Sequence, residues 1–315
     1  MIEAQNYEKI NLVIKEKFLK FLKEKKLSPN KLKFSWSIWG FGIEPIEVSV
    51  KRLKKYNVKY IELFGNLYSE DYGYKPKILK KLLDENGIEV SGICGMCSSE
   101  SELSSQSPFI RQRSLDYFKR NIEFCNQMGG EYLIFGPGAA GRTIKHDDFE
   151  FERAVEAMQI IGDYFIKNNV KGAIEPVRKD EVSICHTFKD ALKIIKAVDN
   201  EGIKHVCGDL YHMMHGESNI GDVLMNYKDY LINLHMSDTN RSALGSGMMD
   251  LDTAIMASYL IGYNNKRAFC TAEPLALGVD SYAQMYGRTD PEVFDKLVGD
   301  SSSYFYKREE LLISQ

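Results

Sequence analysis

The sequence lacks any apolar run near the ~18 residues that a membrane-spanning helix needs. It also lacks an excess of positive charge: 41 Lys and Arg against 44 Asp and Glu leave a formal net charge of −3. That balance argues against a broad basic footprint for nucleic acid. The opening residues, MIEAQNYEKI, show no basic stretch followed by an apolar one, so no secretory signal is expected. There is no low-complexity tract, and 44% hydrophobic residues with only eight prolines describe a folded globular chain. Cysteines are few. Of the six, only Cys94 and Cys97 lie close together, in C-G-M-C, and the second pair that a zinc ribbon requires is missing. The motif closes an apolar run instead of opening a helix. We therefore expect reduced, partly buried thiols and a cytoplasmic, reducing compartment.

What the sequence does have is a rhythm. Short apolar runs occur at K-F-S-W-S-I, V-K-Y-I-E-L-F, E-V-S-G-I-C, Y-L-I-F-G, V-K-G-A-I-E, K-H-V-C-G-D, L-I-N-L-H and R-A-F-C-T-A-E. Amphipathic stretches separate them. In the one that follows Arg111, Leu115, Phe118, Ile122 and Cys125 share a helical face, and Gly129 and Gly130 end the helix. Eight alternations of strand and helix predict an α/β fold, a (β/α)8 TIM barrel of parallel strands. The competitor is an open doubly wound sheet, but S-W-S-I-W-G-F-G after the first run does not fit the glycine fingerprint of that fold. The barrel is expected to occupy residues 31–315 as a single domain, ending in a C-terminal tail and helix. Residues 1–30 read as an N-terminal helical extension, with Ile10, Leu12, Val13, Phe18, Leu19, Phe21 and Leu22 near helical spacing.

Active sites of such barrels lie at the C-terminal ends of the strands. Runs five to eight end at Glu175, Asp209, His235 and Glu273. Any one of them could be a helix cap or half of a local ion pair. Four converging on one mouth would repel one another unless a cation sat between them. Mixed oxygen and nitrogen donors suit one divalent ion, Mn²⁺ first and Mg²⁺ or Co²⁺ as alternatives.

The segments I-E-P-V-R-K-D-E, D-L-Y-H, H-M-S-D-T-N-R and A-E-P, in this order, resemble the xylose-isomerase-like barrel superfamily, and within it the ketose 3-epimerases. The resemblance spans about residues 33–275. It implies that Glu175, Asp209, His235 and Glu273 hold the metal and that Glu175 and Glu273 act as catalytic acid and base. It also implies that Glu181, His212 and Arg241 grip the oxygens of a small sugar substrate. The reaction so implied removes the proton beside a sugar carbonyl and passes through an enediolate. Trp36 and Trp39 close the first strand. Trp36 is a substrate-binding candidate, with packing beneath the rim as its alternative. Glu62 points either to the mouth or to a neighbouring strand. His146, on the loop after the fourth strand, is a candidate base, whereas His186 and His215 read as structural.

The sequence departs from the epimerases in its N-terminal extension, in Pro176 and Arg178, in the loop G-P-G-A-A-G-R-T-I-K-H and in the tail after Glu273. These departures look like the catalytic subunits of C-glycoside deglycosidases, which cleave 3-oxo-C-glucosides by β-elimination. That branch is the preferred expectation, with ketose 3-epimerase or sugar isomerase as the alternative. It would imply a small all-β partner subunit; a homo-oligomer is the other arrangement considered, with neither nucleic acid nor membrane as partner. Two further readings stay open: a metal-dependent endonuclease, which would need more histidine ligands, and a non-catalytic sugar-binding barrel.

Overall fold

Each of the eight apolar runs forms a strand, and the amphipathic stretches between them form helices on the outside. The computed structural model describes residues 5–68, 73–95, 97–276 and 290–315. In chain order the strands are β1 (Lys33–Ser37), β2 (Tyr60–Phe64), β3 (Glu89–Cys94), β4 (Tyr132–Phe135), β5 (Lys171–Ile174), β6 (Ile203–Asp209), β7 (Leu231–Met236) and β8 (Phe269–Ala272). They pair in parallel, in sequence order, and β8 closes on β1 with Trp36 opposite Ala272. Closure removes every sheet edge and directs all strand C-termini to one face. Register shifts fall between Ile61 and Glu62 in β2, Gly172 and Ala173 in β5, and Val206 and Cys207 in β6. Such bulges re-aim the side chains that follow them.

Between strands run α2 (Ile46–Lys55), α3 (Pro76–Asn86), α4 (Pro108–Met128), α5 (Glu150–Lys167), α6 (Phe188–Val198), the short pair α7 (Leu210–Gly216) and α8 (Ile220–Asn226), and α9 (Leu251–Leu260). Local chemistry sets their ends. Ser107 caps α4 by accepting from the Ile110 N–H, and the helix stops at Gly129, whose φ of +74° suits glycine. Thr187 and Asp190 form a reciprocal capping box at the start of α6.

The N-terminal extension is the helix α1 (Asn6–Lys23). It buries Ile14 and Phe18 and packs on α8 and α9, with the Phe18 ring 6.1 Å from that of Tyr259. Its apolar stripe is narrower than the sequence suggested: Leu12 and Val13 are about half exposed. After β8, residues 277–289 of the expected tail lie outside the described residues. The chain then forms α10 (Pro291–Ile313), which takes the last helix position of the ring. Phe305 meets Phe34 of β1 at 4.7 Å, and the buried Glu309 accepts hydrogen bonds from the Leu32 N–H and the Tyr259 hydroxyl. Among the described residues, no helix is long and apolar enough to cross a membrane.

Candidate active site

The mouth of the barrel is built from strand ends that would be costly to bury without partners. Asp209, the last residue of β6, caps α7: its Oδ1 accepts from the N–H groups of Tyr211 (2.7 Å) and His212 (3.3 Å). This is the helix-cap role that any single strand-end acid could have played. Its other oxygen, Oδ2, lies 3.6 Å from Nε2 of His212. Glu175 and Glu273 follow β5 and β8, each held by a backbone hydrogen bond to the neighbouring strand, at Phe135 and Met236. His235 sits near the end of β7, with Nδ1 3.1 Å from Glu175 and 3.5 Å from Glu273. Ligand atoms of Asp209, His235 and Glu273 lie within 4.8 Å of one another, as do those of Glu175, Asp209 and His212.

The electrostatics of this focus are strained. Burial, together with the negative charges of Glu175, Asp209 and Glu62, pushes the Glu273 carboxyl up to about 8 even though His235 opposes the shift. Burial works against a charged His235, but the surrounding Cys207, Glu273, Glu62 and Glu175 raise its affinity for a proton well above the ordinary imidazole value. Asp209 is also penalised by burial, yet His212, His235 and Arg241 hold its carboxyl below the usual range. Three buried carboxylates and one buried imidazole, linked through these overlapping groups of three, form a donor set that fits a divalent cation.

Glu181, His212 and Arg241 line the same cavity. Arg241 has a φ of +54° and donates from Nη1 to Glu181 at 3.3 Å. Its guanidinium lies 5.6 Å from the Trp39 ring centre and 4.9 Å from that of Tyr211. Arg178 braces the group, donating to Glu181 (2.6 Å) and to the Tyr211 hydroxyl (2.8 Å). The buried Nδ1 of His212 has no hydrogen-bond partner in the protein among the described residues, so a ligand could claim it. Cys94 and Cys97 form part of the wall, and burial pushes their thiols up, Cys97 to about 12. All six cysteines are free and buried.

Two expected site residues lie elsewhere. Trp36 is 1% exposed and stacks on Phe41 beneath the rim, away from the cavity. The strand ends at Ser37, and the 3-10 turn Ile38–Phe41 turns Trp39 to the mouth instead. His146 does not line the cavity either. Its Nε2 is 3.3 Å from Glu102, and its N–H donates to Glu150 at 2.7 Å, within a cluster centred on Arg142. His186 and His215 face backbone carbonyls, those of Val177 and Tyr211. Glu62, which sequence reasoning left undecided, is wholly buried and lies 2.9 Å from Nε2 of His235. Its signal was a charge inside the otherwise apolar run Y-I-E-L-F.

Residues 50–269 match the sequence family described as xylose isomerase-like TIM barrel. The chain belongs to that family. Among its relatives, a ketose 3-epimerase of Arthrobacter globiformis is 22% identical over 240 residues, covering 73% of this chain and 78% of the relative. A 3-dehydro-D-guloside 4-epimerase of Escherichia coli is 25% identical over 186 residues, covering 55% and 68%. An L-ribulose 3-epimerase structure superposes with a TM-score of 0.77 at 15% identity, covering 90% of this chain and 96% of that one. At that identity the superposition speaks for the fold alone. These relatives favour the epimerase and isomerase alternative over the C-glycoside cleavage suggested by the departures in sequence, for which they give no support.

Proposed function

We propose that the chain moves a proton at the carbon beside the carbonyl of a keto-sugar, inverting that carbon or relocating the carbonyl. The carrying observation is that two buried carboxylates, Glu175 and Glu273, converge on His235 Nδ1 at 3.1 and 3.5 Å. With Asp209 they would hold one divalent ion, Mn²⁺ fitting first. Bound there, the cation polarises the sugar carbonyl and offsets the charge left by the departing proton.

The rest falls to the side chains. Glu175 and Glu273 take and return the proton, the work of positioned carboxyl groups. His212 offers its unclaimed Nδ1 to a sugar oxygen. Arg241, steadied by Glu181 and Tyr211, donates to others. Trp39 and Val182 supply apolar wall against the sugar's C–H surface and keep bulk water away. The named activities of the relatives suggest two substrate classes, free ketoses and glycosides oxidised to a ketone. In both, the carbon to be inverted adjoins a carbonyl, and the chemistry requires no small all-β partner.

The test is to incubate the isolated chain with Mn²⁺ in deuterated water, separately with ketoses and with 3-keto-glucosides. The expected product is an epimer or isomer bearing deuterium at the reacting carbon. Release of an aromatic aglycone from a 3-keto-C-glucoside, without epimer from either class, would overturn the proposal in favour of C–C cleavage.

A further inference from the structure

Glu62 and His235 stand on β2 and β7, with β1 and β8 between them, so their contact crosses the barrel interior. Nothing polar from solvent reaches it: both residues are wholly buried. Three groups around Glu62 are placed to donate, and an oxygen of Glu273 and the Cys94 sulfur lie within 4.8 Å. The Tyr132 hydroxyl lies 2.8 Å from Oε2, Asn233 Nδ2 lies 3.4 Å from the same oxygen, and His235 Nε2 lies 2.9 Å from Oε1.

Further out, the network fixes the direction of these bonds. Thr271 donates to Asn233 Oδ1 at 2.7 Å, which leaves the amide NH₂ facing Glu62. Tyr132 has a second, longer acceptor in Ser91 Oγ at 3.3 Å, and its 2.8 Å contact with Glu62 is the shorter of the two. The backbone is shaped to the same end. The register shift between Ile61 and Glu62 falls at this residue. The Tyr132 ring occupies the space where a side chain on Gly92 would stand, since a Cβ there would lie 2.3 Å from it. Glycine at 92 is what lets Tyr132 lean across β3 towards Glu62.

We infer that Glu62 is a positioning residue, which acts on the candidate metal centre through His235. As an acceptor of three hydrogen bonds, a Glu62 carboxylate requires the proton of His235 on Nε2. That leaves Nδ1 as the nitrogen with the free lone pair, and Nδ1 is the one facing Glu175 and Glu273. A histidine so oriented is a better and more rigid metal ligand, as in other carboxylate–histidine–metal arrangements. This inference rests on the metal reading of the site, but its own content is the tautomer and orientation of one ring.

Two measurements test it. Metal-free wild type and Glu62→Gln are titrated with Mn²⁺ against a competing chelator, with thermal melts to show that the variant folds. The expected result is binding weakened about 10- to 100-fold; affinity within about twofold of wild type overturns the inference. The second measurement needs no change at Glu62. Nitrogen NMR of ¹⁵N-histidine-labelled wild type, with the His235 signals assigned by their loss in His235→Gln, should show Nε2 protonated both without cation and with Mg²⁺. An unprotonated Nε2 in either state overturns it. If wild type takes up no divalent ion at all, the metal reading falls, while the NMR result still decides what Glu62 does to the ring.

Discussion

Glu175 and Glu273 have two roles in the proposed reaction, as ligands and as proton carriers, and substitution can separate them. Glutamine keeps an oxygen donor in place but loses the charge and the basic lone pair. Glu175→Gln and Glu273→Gln are therefore expected to bind Mn²⁺ less tightly and, with the ion restored, to turn over at least ~10²-fold more slowly. Normal turnover by either ion-loaded variant would remove that residue from proton transfer. Asp209→Ala removes a ligand and a helix cap together, so elemental analysis should find it without metal. At the same scale, Gly92→Ala drives a methyl group into the Tyr132 ring, and denaturant unfolding should show a loss of about 1–3 kcal/mol. The four polar strand ends could be read from the sequence because each directly follows an apolar run. Glu62 could not be assigned, because β2 is buried on both faces from Ile61 to Phe64, so no alternation of polar and apolar residues marks which face looks inward. Trp36 and Trp39 were interchangeable for a related reason: the 3-10 turn that separates their directions has no marker in the sequence.

At the scale of elements, the loops after β3 and β4 are joined by charge. Arg142 pairs with Glu102 and, at 2.6 Å, with Glu150 at the start of α5, and both carboxylates are 1% exposed. Ser183, from the loop after β5, also donates to Glu150. Removing the cation would leave two buried carboxylates without it, the situation in which breaking a buried pair costs most. Arg142→Met should lose about 3–5 kcal/mol in denaturant unfolding, and a loss under about 1 kcal/mol would show that the cluster is solvated or dispensable. His146 belongs to this cluster and does not line the cavity. Loop residues carry no periodicity, so their place along the rim could be guessed from chain order but not their direction. The strands and helices, which do carry periodicity, were the legible part of the fold. Even there, the face of α1 came out narrower than its run of apolar residues, because only the side meeting α8 and α9 has anything to bury against.

For the whole molecule, the candidate site is a source of instability until its charge is matched. A carboxyl raised to about 8 keeps a proton in the folded chain that the unfolded chain, with an ordinary carboxyl, has already released above pH 5. His235 acts in the same direction, because its folded form holds a proton well above the pH at which a free imidazole loses it. In both cases the folded state binds more protons than the unfolded state, so stability falls as pH rises. The buried His205, lowered to about 4 mainly by burial, works oppositely, but only below about pH 6.5, where a free imidazole still gains a proton. In the window from pH 6.5 to 8.5 the six buried cysteines add to this slope, since burial pushes their thiols up as well, and the share of the site is read by comparison with Glu273→Gln. There the metal-free chain should lose stability with each step in pH, by up to about 1.4 kcal/mol per unit for each extra proton held. Saturating Mn²⁺ should raise the melting temperature most at the upper end of the window, since the ion replaces those protons and stabilises the form they oppose. Melts of the chelator-treated chain, repeated with Mn²⁺ and for Glu273→Gln, would check this. The variant cannot exchange a proton at residue 273, so its metal-free slope should be shallower than that of the wild type. An identical slope in both would show that the pH dependence arises outside the barrel mouth.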